Sequence, residues 1–187
     1  MLEKLDMKKK MSKGDYNEVM DVLGERLGQV QRMAREAKKP IIIVFEGWRG
    51  ARRSAIINTM MQQMDARGFD VYSTVRMSEE EHKQPFFTFF WQHLPALGNI
   101  AVYHRSWYYL KNAKTLGKAW RDVSPAIDES DKYDEYLERY EKMLEATDKV
   151  NAPWHLIAAD DRRSAEIEII TSIVETVEVP SSFLAEV

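Results

Sequence analysis

The chain has 187 residues, enough for one domain with a sizeable core. Its 44% apolar and 30% charged residues are ordinary for a soluble globular protein, and a net charge of -3 argues against a general nucleic-acid or polyanion binder, so any anion site must be local. No cysteine is present, which excludes disulfides and thiolate metal sites; with no apolar signal segment after Met1 and no membrane-length apolar run, a soluble cytoplasmic protein is expected, without membrane or nucleic-acid partners.

Residues 1–13 are strongly charged and read as an arm lying on the domain. Ser12 or Asp15 can cap the helix that follows, with Glu18 placed for a capping box on Asp15. Tyr16, Val19, Met20, Leu23, Leu27, Val30 and Met33 keep a three-four spacing, which predicts an amphipathic helix ending near Lys38-Lys39-Pro40. Residues 1–39 are thus an arm and helix, 40–178 the main domain, and 179–187 a tail or linker.

The main domain opens with Ile41-Ile42-Ile43-Val44-Phe45, β-branched and aromatic, the composition of a strand buried on both faces. A turn with Gly47 and Gly50 follows, then a helix over 54–66 with Ile57, Met60, Met61 and Met64 inward. Residues 69–75 alternate as a second strand. Ser78-Glu79-Glu80-Glu81 begins a helix whose body is Phe86, Phe87, Phe89, Phe90 and Trp91, stopped by Leu94-Pro95. Residues 99–104 form a third buried strand. The pattern is weak and basic over 109–123. A helix is expected over 130–147, a short strand over 154–159 and a last helix over 164–177. Short apolar strands alternating with helices predict a parallel sheet covered on both faces, with ligands at the carboxyl ends of its strands.

Strand, glycine turn and helix frame a phosphate-binding loop of the form G-x-x-x-x-G-K-[ST]. Gly47 and Ser54 fit its first and last positions; Arg52 stands at the second glycine and Arg53 at the lysine. Inward N–H groups and the positive end of the following helix would attract an anion, and Arg49, Arg52 and Arg53 add charge. Three solvated arginines on a surface turn are the other reading. His104 ends the third strand where nucleotide-binding loops of this kind use a carboxylate for Mg²⁺, and neutral imidazole is a poor ligand for that hard cation. Arg105 could hold phosphate or pair with an acid. Asp160 and Asp161 lie near a nucleotide-base position, and helix capping explains the same placement. His82, His93 and His155 lack metal-ligand spacing.

Several motifs resemble the family-2 polyphosphate kinases. Phe45-Glu46-Gly47-Trp48 is similar to the start of that family's FEGxDxxGKG loop. Glu80-Glu81 through Pro85-Phe86-Phe87, Phe90-Trp91 and Leu94-Pro95 resembles its aromatic segment, and Arg105-Ser106-Trp107-Tyr108 its RSWY motif. Tyr133-Asp134-Glu135-Tyr136, Ala152-Pro153-Trp154 and Asp161-Arg162-Arg163 are similar to its C-terminal pattern. The resemblance implies a P-loop α/β/α sandwich with a helical lid, here reduced or partly missing, because only 109–117 stands where the family has several tens of residues. It implies phosphoryl transfer between polyphosphate and a nucleotide, AMP or ADP, with Mg²⁺. The family's loop aspartate and lysine fall on Arg49 and Arg53, its strand-end acid or amide on His104, and the arginine of its aromatic segment on Phe89. Reversed charge at Arg49 counts against Mg²⁺ here and leaves no metal ligand to name. The phosphate-binding candidates are Gly47, Gly50, Arg52, Arg53, Ser54 and Arg105; Asp161 and Arg162 are on the nucleotide side.

The resulting expectation is a catalytically impaired domain, structural or polyphosphate-binding, forming half of a tandem enzyme beside a second such domain, or a homo-oligomer. The alternatives are an active phosphotransferase using Arg53 for lysine, and a regulatory nucleotide-binding module.

Overall fold

The structure, a computed structural model, describes residues 2, 5–48, 51–74, 78–109 and 133–178, with only the backbone of His82. Helix α1 (Lys13–Glu36) is capped by Ser12, whose hydroxyl accepts from the Asp15 N–H. Asp15 therefore lies inside the first turn, and its carboxylate accepts from the Ser12 hydroxyl at 2.8 Å instead of capping with Glu18. Met20, Leu23, Leu27 and Val30 form the buried stripe, whereas Val19 and Met33 face solvent. The stripe is shifted because Gln31 and Ala34 point inward. The Gln31 amide binds both backbone groups of Asp65, accepting from its N–H at 2.7 Å and donating to its C=O at 2.8 Å.

Strands β1 (Ile41–Phe45), β2 (Phe69–Ser73) and β3 (Ile100–His104) form a parallel sheet in the order β1-β3-β2. Phe45 and Ser73 both pair with His104, so the three carboxyl ends are flush. Alternation divides the core into two faces. Ile100 and Val102 face the side of α1, with Ile41, Ile43 and Phe45; Ala101 and Tyr103 face a cluster of Phe89, Phe90 and Tyr109. β3 is central and buried, but among the described strands β1 is an edge whose Ile42 is 43% exposed, not the doubly buried strand its composition predicts.

Helix α2 (Arg53–Met61) stops earlier than expected; the chain passes through a 3₁₀ turn (Ala66–Gly68) that Asp65 caps while Gln31 grips it. The expected aromatic helix is two pieces, α3 (Glu79–Lys83) and α4 (Thr88–Gln92). Pro85 holds Gln84 extended, with φ -78° and ψ 163°, which ends α3. Ser78 and Glu81 form a full capping box at its start. Helices α5 (Tyr133–Thr147) and α6 (Arg162–Glu178) follow, and α6 packs along α1 and α2.

Residues 154–159 are not a strand. Among the described residues β1 pairs only with β3, and this segment forms no ladder with the open edge of β1. It instead runs as an irregular stretch: Trp154 donates its N–H to the Asp148 carboxylate and its indole N–H to Thr147, and Ile157 packs on the core. The expected basic stretch beyond Tyr109, the lid region, the start of the helix at 130 and the tail at 179–187 lie outside the described residues. No helix among the described residues is long and apolar enough to cross a membrane.

Candidate functional site

The site grows from the flush strand ends. β1 delivers Glu46, Gly47 and Trp48; Arg49 and Gly50 lie outside the described residues; Ala51 and Arg52 lead into α2. Gly47 has φ 133°, a conformation glycine adopts freely. Arg52 stands where the loop pattern has a glycine and takes the left-handed conformation, φ 47° and ψ 24°, as the N-cap of α2. For an L-residue with a Cβ that geometry costs roughly 1–2 kcal/mol, so the surrounding frame imposes it. The strand–loop–helix frame thus persists with an arginine in the glycine's place.

Arg53, at the lysine position, is buried and its guanidinium turns back on the loop. Its Nη1 donates to the carbonyls of Gly47 and Trp48, the latter at 2.5 Å. Arg52 and Ser54 are exposed on the rim. Trp48 stacks on Tyr133 at 5.5 Å between centroids and packs on Tyr140 at 5.1 Å, so α5 clamps the loop from outside.

The second half of the site follows β3. The Arg105 N–H donates to the Phe45 carbonyl at 3.0 Å, extending the β1–β3 ladder one step, and Arg105 itself has φ 65°. Its guanidinium lies 3.8 Å from the Tyr109 ring centroid, in cation–π contact. The Ser106 N–H and hydroxyl donate to Glu46 Oε1 at 2.8 and 2.6 Å, joining the two strand ends. Glu46 Oε2 is buried without a hydrogen-bond partner. Burial pushes the Glu46 carboxyl above its ordinary range, against the Ser106 hydrogen bonds and the charges of Arg53 and Arg105. His104, at the strand end, has Nδ1 3.4 Å from the Ser73 hydroxyl.

The structure therefore gathers Gly47, Arg53 and Arg105 around Glu46, and sets Asp161 and Arg162 at the start of α6. Asp161 accepts from the Ser164 N–H at 2.9 Å, and that bond holds its carboxyl below the usual range. Arg162 Nε pairs with Glu166 at 3.1 Å. Sequence reasoning missed Glu46 and Glu166. Glu166 is fully buried in α6, accepts from the Tyr16 hydroxyl at 2.5 Å and from Thr59 at 3.0 Å, and so ties α1, α2 and α6 together. Desolvation, with this hydrogen bond, pushes the Tyr16 hydroxyl up to about 12. A charged residue between Ala165 and Ile167 on an apolar helix face was the available signal.

The donor set does not fit Mg²⁺, which asks for several oxygen ligands. Among the described residues no three His, Asp or Glu side chains converge. Glu46 has one oxygen committed to Ser106, and the charges of Arg53 and Arg105 act on its carboxyl. The arrangement is suited to an anion.

The family Polyphosphate kinase 2 matches residues 10–114 and 109–183. The chain is 22% identical to the polyphosphate:AMP phosphotransferase of Pseudomonas aeruginosa, over 95% of this chain and 47% of that protein. It is 23% identical to the GDP-polyphosphate phosphotransferase of the same organism, over 91% and 63%. The chain thus spans about half the length of the first of these relatives. That alignment runs over 231 residues, to which this chain contributes only about 178, so the relative carries about fifty more within the aligned span. Among solved structures, a polyphosphate kinase 2 from Pseudomonas aeruginosa superposes with a TM-score of 0.80 at 20% identity, over all of this chain and 51% of the other. That of Arthrobacter aurescens superposes with a TM-score of 0.76 at 16% identity, over 95% and 84%. The fold is theirs, a P-loop kinase-like α/β fold, and with most of its length matched the chain belongs to the polyphosphate kinase 2 family.

Proposed function

We propose that this chain is a polyphosphate-binding domain, impaired in phosphoryl transfer, that serves as the structural half of a larger polyphosphate:nucleotide phosphotransferase in the cytoplasm. One observation carries the reading: the Arg53 guanidinium is engaged by the carbonyls of Gly47 and Trp48, in a loop that begins at the buried Glu46 carboxyl. Phosphoryl transfer depends on charge neutralisation and exact placement of the phosphates. A site with arginines, and with no convergent acidic ligands among the described residues, supports holding a polyanion more than moving its phosphoryl group. The family's substrates, polyphosphate and a nucleotide such as AMP or ADP, set the ligand class.

An active enzyme is the second reading, favoured by the intact frame: Arg53 occupies the first turn of α2, where the lysine acts, and Arg52 keeps the left-handed cap. The experiment measures polyphosphate binding, and turnover of AMP and ADP with polyphosphate and Mg²⁺, for the wild type, Arg53→Lys and Arg53→Ala. We expect salt-sensitive binding that weakens roughly tenfold or more in Arg53→Ala, the value of one charge-assisted hydrogen bond, and no turnover in the wild type. Turnover in the wild type that Arg53→Ala abolishes would establish the second reading. Absence of polyphosphate binding would overturn the first.

A further inference from the structure

Backbone direction alternates along β1. The Ile41 N–H donates to the Asn99 carbonyl and the Phe45 carbonyl accepts from the Arg105 N–H, both on the β3 side. Ile41, Ile43 and Phe45 therefore commit their backbone groups to β3, whereas Ile42 and Val44 turn theirs to the opposite edge. Among the described residues no strand meets that edge. Residues 155–158 touch the same core as Ile41 and Ile43, through Ile157, and they too pair with no described strand. An apolar five-residue strand of a parallel sheet belongs inside the sheet, and here it stands at the rim.

We infer that the outer edge of β1 receives an extended apolar strand from a separate polypeptide, which joins the sheet as its fourth strand. Only another backbone matches N–H and C=O groups repeated at strand spacing, so the occupant is extended polypeptide and not a small molecule. Its side chains alternate between the core that holds Ile41 and Ile43 and the face that holds Val44, so it is apolar on both sides. Residues 110–132 and 179–187 hold no segment of that kind. Their longest apolar runs are Pro125-Ala126-Ile127, which opens with a proline, and Phe183-Leu184-Ala185, and charges recur from Lys111 to Lys132. The relative aligned over 231 residues carries about fifty more than this chain, and the family match breaks directly after β3. The strand that the composition of β1 calls for therefore comes from outside these 187 residues.

Exchange of single amides, followed by NMR on the full chain, tests this. The probe is a synthetic peptide that repeats the sequence of Ile41–Phe45 between lysine flanks, at about 100 µM. A control peptide has proline in place of its central residue. The probe is expected to slow exchange at Ile42 and Val44 at least about tenfold, and to leave Ile43 and Phe45, already committed to β3, within about twofold. The proline peptide keeps the charge and most of the apolar surface but breaks the ladder, so it has no effect. Ile42→Pro removes an outward N–H at an edge position, where proline is tolerated, and abolishes the protection at Val44. Ile42→Lys keeps that N–H, serves where Ile42→Pro does not fold, and raises the dissociation constant for the probe at least about tenfold. Circular dichroism shows whether each variant is folded. No protection by the probe overturns the inference, as do equal effects of the two peptides or protection that leaves out Ile42 and Val44. No polyphosphate is in these samples, so the strand site and the polyphosphate reading can each fail alone.

Discussion

Glu46 is the side chain on which the two halves of the site meet. Its Oε1 takes both donors of Ser106, while Oε2 is buried and unpaired beside two arginines. A carboxyl whose folded pKa is raised binds its proton more tightly in the native state than in the unfolded chain. Its contribution therefore favours the fold at acid pH and is lost as pH climbs from the ordinary carboxyl range through the raised value. Glu46→Gln retains an acceptor for Ser106 and removes that titration. Urea unfolding at about pH 5 and about pH 7.5 should show a smaller loss of stability toward the higher pH in Glu46→Gln than in the wild type. Identical pH profiles would mean that Glu46 titrates normally. Glu166 poses the opposite case, because its three partners on α1, α2 and α6 satisfy it. Glu166→Ala takes the acceptor from the Tyr16 hydroxyl, while Thr59 keeps the Ala55 carbonyl and the half-exposed Arg162 turns to water, and should cost about 2 kcal/mol in the same assay.

At the scale of elements, the loop is held as much by α5 as by its own strand and helix. Trp48 reaches out of the loop onto Tyr133 and Tyr140, about two helical turns apart on one face of α5. Trp48→Ala should lower stability by about 2 kcal/mol and speed amide exchange over 133–147 while the amides of α6 keep their protection. Uniform loss of protection would show that α5 and α6 open together. Elements fixed by local pattern were legible in the sequence: the β-branched run gives β1 as Ile41–Phe45, and a turn with Gly47 followed by a helix comes after it, with Arg53 opening α2. The break at Pro85 was also local, but the continuous aromatic run outweighed it in the reading. Other features needed partners distant in the chain. Residues 154–159 carry a strand's composition, but the bonds of Trp154 to Thr147 and Asp148 hold the segment to the end of α5 and not to a strand edge. The roles of Glu46 and Trp48 come from Ser106, Tyr133 and Tyr140, and no local spacing announces those contacts.

For the whole molecule, the decisive feature is the number of strands. A parallel sheet is stable when both faces are covered and its apolar strands lie inside it. Here β1, five apolar residues long, is an edge among the described strands, and the aligned relative carries about fifty residues that this chain lacks. The break in the family match falls at residues 109–114, after β3, so the difference lies where a further strand could be supplied. An apolar, uncharged edge is a template for pairing with another chain, and a lysine on it is the usual protection. Ile42, half exposed on that strand, is the place to supply one. We expect Ile42→Lys to change the unfolding free energy by no more than about 0.5 kcal/mol, the range of ordinary surface substitutions. It should also slow aggregation on warming several-fold, read by light scattering, whereas Val22→Lys on α1 leaves that rate within twofold. A loss of more than about 2 kcal/mol in Ile42→Lys would show that the edge of β1 is covered after all and that the sheet has its fourth strand.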